Sequence, residues 1–245
     1  MNSKLNFLRC ILIEFEGYWS FPVFELVLFA GFFSILNQPA MTTTFGYRNL
    51  NRGIDGIGIL LQILIVGVIV PRSFAGSFSR REIVVLLSYP IKRSTLLLSK
   101  IAAGYLPMLA VLSSAILVAV PISGLSFFEA APYALILTSS IQLLFLFSIA
   151  MFVSIFLKNE LVSVLGFLLL MFGIEFNPVT LFGTFTLTQI RNNDILYQYL
   201  TATLYGASGA YSFDQFISTL AITLFISLAL IALAFVYYIR VMQVD

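Results

Sequence analysis

Apolar residues gather into six long, nearly uncharged runs, about Tyr18–Leu36, Ile54–Phe74, Ile101–Ser123, Pro132–Leu157, Leu161–Phe176 and Phe216–Ile239, separated by segments that carry most of the charges. A helical crossing of a bilayer takes roughly 20 apolar residues, so each run is predicted to be a membrane span. A helix satisfies its own backbone groups in lipid, whereas a barrel strand would alternate in polarity. Runs such as Leu165–Phe172 and Ile231–Val236 do not alternate. The fifth run is the weakest, since its uncharged part, Leu161–Ile174, is short for a crossing and ends at Glu175. Ahead of the first run the period changes. Leu5, Leu8, Leu12 and Phe15 recur every three or four residues, with Lys4, Arg9 and Glu16 elsewhere on the wheel. Residues 1–17 are therefore expected to form an amphipathic helix at the membrane interface. The mildly apolar segment 177–214, which holds Tyr197, Tyr199, Tyr205 and Tyr211, reads either as an ordered outer loop or as short outer helices that dip back into the bilayer. The second reading requires a cavity nearby, because irregular backbone at that depth needs protein or water beside it.

Composition narrows the function classes. Of 245 residues, 60% are hydrophobic and only 10% charged, against about 25% charged in soluble domains. A soluble enzyme, a disordered regulator and a nucleic-acid-binding domain are excluded. The net charge of +2 matters only through its distribution. Lys4, Arg9, Arg72, Arg80, Arg81, Lys92, Arg93, Lys100, Lys158 and Arg240 fall on one side of the predicted spans, and only Arg48, Arg52 and Arg191 on the other. By the positive-inside rule the first side is cytoplasmic, so the chain is expected to be a multi-pass cell-membrane protein with both termini inside. No cleavable signal is expected, since Glu14 and Glu16 precede the first apolar run. There is no internal repeat, so residues 1–245 read as one domain.

The inner segment 72–100 is more specific than a plain membrane loop. Ser79 followed by Glu82 has the spacing of a capping box, in which each side chain satisfies a free amide at a helix start. Ile83, Leu86 and Leu87 then supply an apolar ridge, and Pro90 ends the short helix at Tyr89. Such a ridge at a membrane surface packs against headgroups, against its own chain, or against a soluble protein that pushes on it.

The run Arg80-Arg81-Glu82 through Leu86-Leu87-Ser88-Tyr89-Pro90-Ile91-Lys92-Arg93 to Leu97-Leu98-Ser99-Lys100 resembles permease subunits of ABC exporters of the ABC-2 type. Glu82, Pro90, Ile91, Arg93 and Lys100 match that family's pattern, while Arg80-Arg81 departs from the mixed or acidic residues often found there. The resemblance implies an all-α membrane protein of six transmembrane helices, with an N-terminal interfacial helix, a cytoplasmic coupling helix and short outer helices before the last span. It implies that Ser79, Arg80, Arg81, Glu82, Ile83, Leu86, Leu87, Pro90 and Arg93 form the contact with a separate ABC ATPase, present in two copies beside a second permease copy or paralogue. The permease would carry an apolar or amphiphilic substrate such as a lipid, a drug-like compound or a peptide.

The chain's missing chemistry fits a non-catalytic subunit. It has no histidine, a single cysteine (Cys10) and no P-loop, so ATP and Mg belong to the partner and no metal or other cofactor is expected here. The cluster Gly53-Ile-Asp-Gly56-Ile-Gly58 suits close helix approach. Glu25 and Glu175 are the candidate intramembrane acids, each either an anchor near a helix end or a group on the transport path. Phe147, Phe152, Phe167 and Phe172 become pathway candidates only if a cavity adjoins them. The competing classes are an ATP-independent carrier or channel, which would want more polar residues within the membrane, and a membrane-embedded enzyme, which would want a catalytic constellation that the chain lacks.

Overall fold

A computed structural model describes residues 3–19, 59–79, 92–122, 126–176, 180–181, 185–186, 194–206 and 211–241. Within them seven α-helices follow in order: α1 (Ser3–Tyr18), α2 (Ile59–Ser79), α3 (Arg93–Ile122), α4 (Ala131–Leu157), α5 (Glu160–Phe176), α6 (Asp194–Leu204) and α7 (Phe213–Val236), the last continued by a π-helical turn, Tyr237–Val241. The only other regular structure among the described residues is a small antiparallel ladder pairing Thr180 with Thr186 and Leu181 with Phe185. The protein is all-helical in this sense. Four segments are long and apolar enough to cross a membrane: Gln62–Ser79, Arg93–Pro121, Ala131–Leu157 and Phe213–Arg240. Helix α5 is apolar but shorter. The first predicted span lies, beyond Trp19, outside the described residues.

Helix α4 is the hub. It packs against α2, α3, α5, α6 and α7, and its start and stop are written locally. Pro132 occupies the first turn, where a missing amide costs nothing, and Lys158 ends the helix in the left-handed region at φ 54°. Phe145, Leu146, Phe147 and Met151 of α4 join Val70 and Phe74 of α2 and Phe167 of α5 in the fully buried core. Gly67 of α2 lets Phe167 in, since a Cβ there would lie 2.8 Å from the ring. Gly104 of α3 admits Phe147 in the same way, at 3.1 Å. Phe147 and Phe167 are thus packing residues, and their full burial removes them as pathway candidates. Phe172 is 43% exposed.

Two helices reach beyond the apolar runs that predicted them. Helix α2 continues past Phe74 to Ser79, and α3 begins at Arg93, eight residues before Ile101. Arg72, Arg93 and Lys100 are therefore helical, and the non-span part of segment 72–100 narrows to residues 80–92. Pro71 does not end α2.

Helix α7 opens with a full capping box. Ser212 accepts from the Gln215 amide, and the Gln215 side chain accepts from the Ser212 amide. Its buried edge is Thr219, Thr223, Ser227 and Ala234, a run of small and hydroxylated residues of the kind that lets membrane helices approach closely. The Thr223 and Ser227 hydroxyls each donate, at 2.7 Å, to the carbonyl four residues earlier. Helix α6 is a short helix before the last span. It buries Tyr197 against Ile116 and Ala119 of α3 and Leu135 of α4.

Candidate functional site at the basic end of the bundle

Side-chain contacts define the two ends of the bundle. At one, Ser79 of α2 lies 3.2 Å from the Lys158 carbonyl after α4, and Arg93 of α3 lies 3.5 Å from the Ile239 carbonyl after α7. At the other, the Tyr205 hydroxyl after α6 donates to Glu129, before α4, at 3.1 Å. Arg93 and Lys158 lie at the first end, with Lys92 and Arg240 beside their contacts in the chain, while Arg48, Arg52 and Arg191 lie outside the described residues.

A buried ion pair sits at this end. Lys100 Nζ donates to Glu14 Oε2 at 2.7 Å and to the Ser73 carbonyl at 3.2 Å. Lys100 is 1% exposed and Glu14 5%. Three helices are tied by one ammonium group: α1 through Glu14, α2 through Ser73, α3 through Lys100. A second tie lies beside it, where Trp19 Nε1, just after α1, donates to the Ala103 carbonyl at 2.8 Å. Phe15 stacks on the Trp19 ring, with centroids 6.4 Å apart. Desolvating two charges costs several kcal/mol per ion, which close pairing offsets only when the geometry is good. The pair therefore acts chiefly as a constraint on where α1 docks.

The local sequence explains how each group arrives there. Leu96, Leu97, Ser99, Lys100 and Ala103 share the buried side of α3. Cys10 and Glu14, four residues apart, share the buried side of α1. This differs from the emphasis of the sequence reading, which saw only an apolar stripe opposed to charge. Leu8 and Leu12 of that stripe are each 60% exposed while Phe15 lies on the Trp19 ring, and the acid points inward. Glu14 is the site residue that sequence reasoning missed. The available signal was Lys100, a cation on an otherwise apolar helix, which demands a counter-ion.

Nearby, Tyr238 is buried in the π-helical turn, its ring edge-on to Phe78 of α2 at 6.1 Å. Burial, with the Glu14 carboxylate as a second cause, pushes the Cys10 thiol above the usual thiol range. A raised folded value means that the protonated thiol favours folding. That contribution is complete below the unfolded thiol value of about 8.5 and is lost as pH rises through the folded one. Maleimide is accordingly expected to label Cys10 at pH 7 at least tenfold more slowly in the folded protein than after unfolding in SDS, a ratio read by mass shift. Equal rates would show that α1 is not docked.

Of the residues singled out from the sequence, Ser79 is the last of α2, its hydroxyl within 3.2 Å of the Ala75 and Lys158 carbonyls. Arg93 opens α3 and is exposed. Glu175 falls in the last turn of α5. Arg80, Arg81, Glu82, Ile83, Leu86, Leu87 and Pro90, and with them the capping box and coupling helix, lie outside the described residues, as does Glu25. Among the described residues no three His, Cys, Asp or Glu side chains gather at a point.

At the same end an apolar groove of about 270 Å³ runs between α4 and α7, open on one side and lined by Phe152, Ile155, Phe156, Leu233, Ala234 and Tyr237, among others. Of the aromatic pathway candidates, Phe152 lines this groove.

No family model matches the chain, no curated protein matches its sequence, and no solved structure matches its fold.

Proposed function

We propose that this chain is the membrane-embedded permease subunit of an ATP-driven exporter of the ABC-2 type, carrying an apolar or amphiphilic substrate and driven by a separate ATPase. In this reading Ser79–Tyr89 form the coupling contact, the basic end is cytoplasmic, and two permeases assemble with two ATPases in the cell membrane. The chain itself is not an enzyme, because ATP and Mg are handled by the partner.

The observation that supports the reading is the tie made by Lys100. Residues 80–91 leave α2 and return into α3, and Lys100 joins the Ser73 turn of α2 to α3 and to Glu14 of α1. A partner that displaces a surface segment does work on the membrane spans only if the helices flanking that segment move together. A three-helix tie one to two turns from the segment supplies that stiffness. Without it, the displacement would be taken up by local bending.

The test is co-expression of the full chain with its neighbouring genes, followed by purification in detergent. A stoichiometric P-loop ATPase is expected to co-purify, and Leu86→Asp with Leu87→Asp is expected to abolish its retention while the permease still elutes as a single species. A chain that purifies alone, binds no ATPase when one is supplied, and passes substrate in vesicles without ATP would replace the exporter with a carrier or channel.

A further inference from the structure

We infer that the groove between α4 and α7 is a binding site for one acyl chain of a phospholipid with an anionic headgroup, drawn from the leaflet that borders the basic end. The inference is independent of the permease reading and needs only that these helices lie in a bilayer.

The groove's chemistry selects the chain. Its lining is almost wholly apolar, and its wall is built of aromatic faces: Phe152 and Phe156 stack with centroids 6.2 Å apart, and Phe156 meets Tyr237 at 5.9 Å. Ile155 and Ala234, each 1% exposed, form the floor, while Phe156 and Leu233, 60% and 57% exposed, form the rim. At about 270 Å³ the volume is below the roughly 300–1,000 Å³ typical of pockets that enclose a drug-sized ligand. A single hydrocarbon chain lying along the helices fits such a space, and the open side lets it enter from the membrane without crossing water.

The groove's end selects the headgroup. Lys158 comes two residues after Phe156 and turns the chain in a left-handed conformation, and Arg240 lies one turn beyond Tyr237. Both are exposed. Glu160 begins α5 on the same side and Arg93 of α3 reaches the Ile239 carbonyl, so the local balance is three cations to one acid, with Lys158 and Arg240 the two that directly follow groove-lining residues. Each basic residue near a membrane surface contributes attraction for anionic lipid. An apolar slot whose lining segments on both helices are followed within a turn by an exposed cation matches, in order, the chain and the phosphate of one lipid molecule.

The purified full chain in detergent is titrated with phosphatidylglycerol and, separately, with phosphatidylcholine, and bound lipid is counted by native mass spectrometry. One phosphatidylglycerol is expected to bind at a concentration about tenfold lower than phosphatidylcholine. Lys158→Gln combined with Arg240→Gln is expected to erase that difference and leave phosphatidylcholine binding unchanged. Ala234→Phe, which fills the floor, is expected to weaken both lipids, and Leu233→Trp at the rim serves the same purpose if the floor variant does not fold. Equal binding of the two lipids by the unmodified chain overturns the proposal, as does a preference that survives removal of both cations, or binding indifferent to the filled groove. Retention of a protein segment in place of lipid overturns it as well.

Discussion

Lys100→Met is expected to destabilise the folded chain by about 3–5 kcal/mol, the range for removing one partner of a buried ion pair. Methionine matches the lysine stem in volume, so little packing is lost. What remains is the Glu14 carboxylate, 5% exposed and deprived of its cation, while the Ser73 carbonyl loses one donor and keeps the Ser77 hydroxyl. An exposed pair would give only about 0.2–1 kcal/mol, so the size of the loss reports the burial. The double variant Glu14→Leu, Lys100→Met is expected to recover most of the stability, because replacing both charges removes the desolvation cost together with the attraction. The single tryptophan supplies a local readout. Trp19 is 5% exposed and bonded to Ala103; its emission is expected to shift to longer wavelength in Lys100→Met and to return in the double variant. A melting temperature unchanged in the single variant would mean that the pair does not hold α1.

Gly67→Val is expected to cost about 1–3 kcal/mol, through overpacking. An added Cβ would meet Phe167 at 2.8 and 3.0 Å and Leu168 at 3.4 Å. The Phe167 ring is fully buried between α2 and α4 and has nowhere to retreat. Gly67→Ala is expected at the low end of the range and valine at the high end. Phe167→Leu alone leaves a space, yet combined with Gly67→Ala it is expected to be less harmful than the sum of the two. Gly173 is the control: nothing lies within 4 Å of its Cβ position, so Gly173→Ala is expected to be neutral or to stabilise the helix by up to about 1 kcal/mol. Thermal melting in detergent across the five variants checks the set. Additive losses at 67 and 167 would show that the two helices do not meet there.

The hydropathy pattern carried most of the helix content. The run Pro132–Leu157 differs from α4 by one residue, because proline and a charged residue mark its limits in the chain itself. The limits of α2 and α3 were less legible. Arg93 and Lys100 read as loop because hydropathy assigns charge to water, whereas Lys100 is satisfied inside the protein by a carboxylate 86 positions away. No local pattern announces such a partner. The stripe Leu5, Leu8, Leu12 and Phe15 was visible, yet the docking face of α1 was not, since two residues, Cys10 and Glu14, leave no period to detect. Capping spacing is likewise a local signal: Ser212 and Gln215 carry it and form the motif. The groove between α4 and α7 was beyond the sequence, since it depends on how two helices far apart in the chain lie together.

The hydroxyls along α7 bear on how the protein is made. Thr223 and Ser227 hold their hydrogen bonds within their own helix, and such back-bonding lowers the penalty for a polar group met by lipid. Helix α7 can thus leave the translocon as a separate membrane-inserted rod before it packs against α4, which precedes it in the chain. Docking then follows by shape, small edge against α4, without any hydrogen bond first having to be broken. Biogenesis of the last span is in this way uncoupled from assembly of the core it completes.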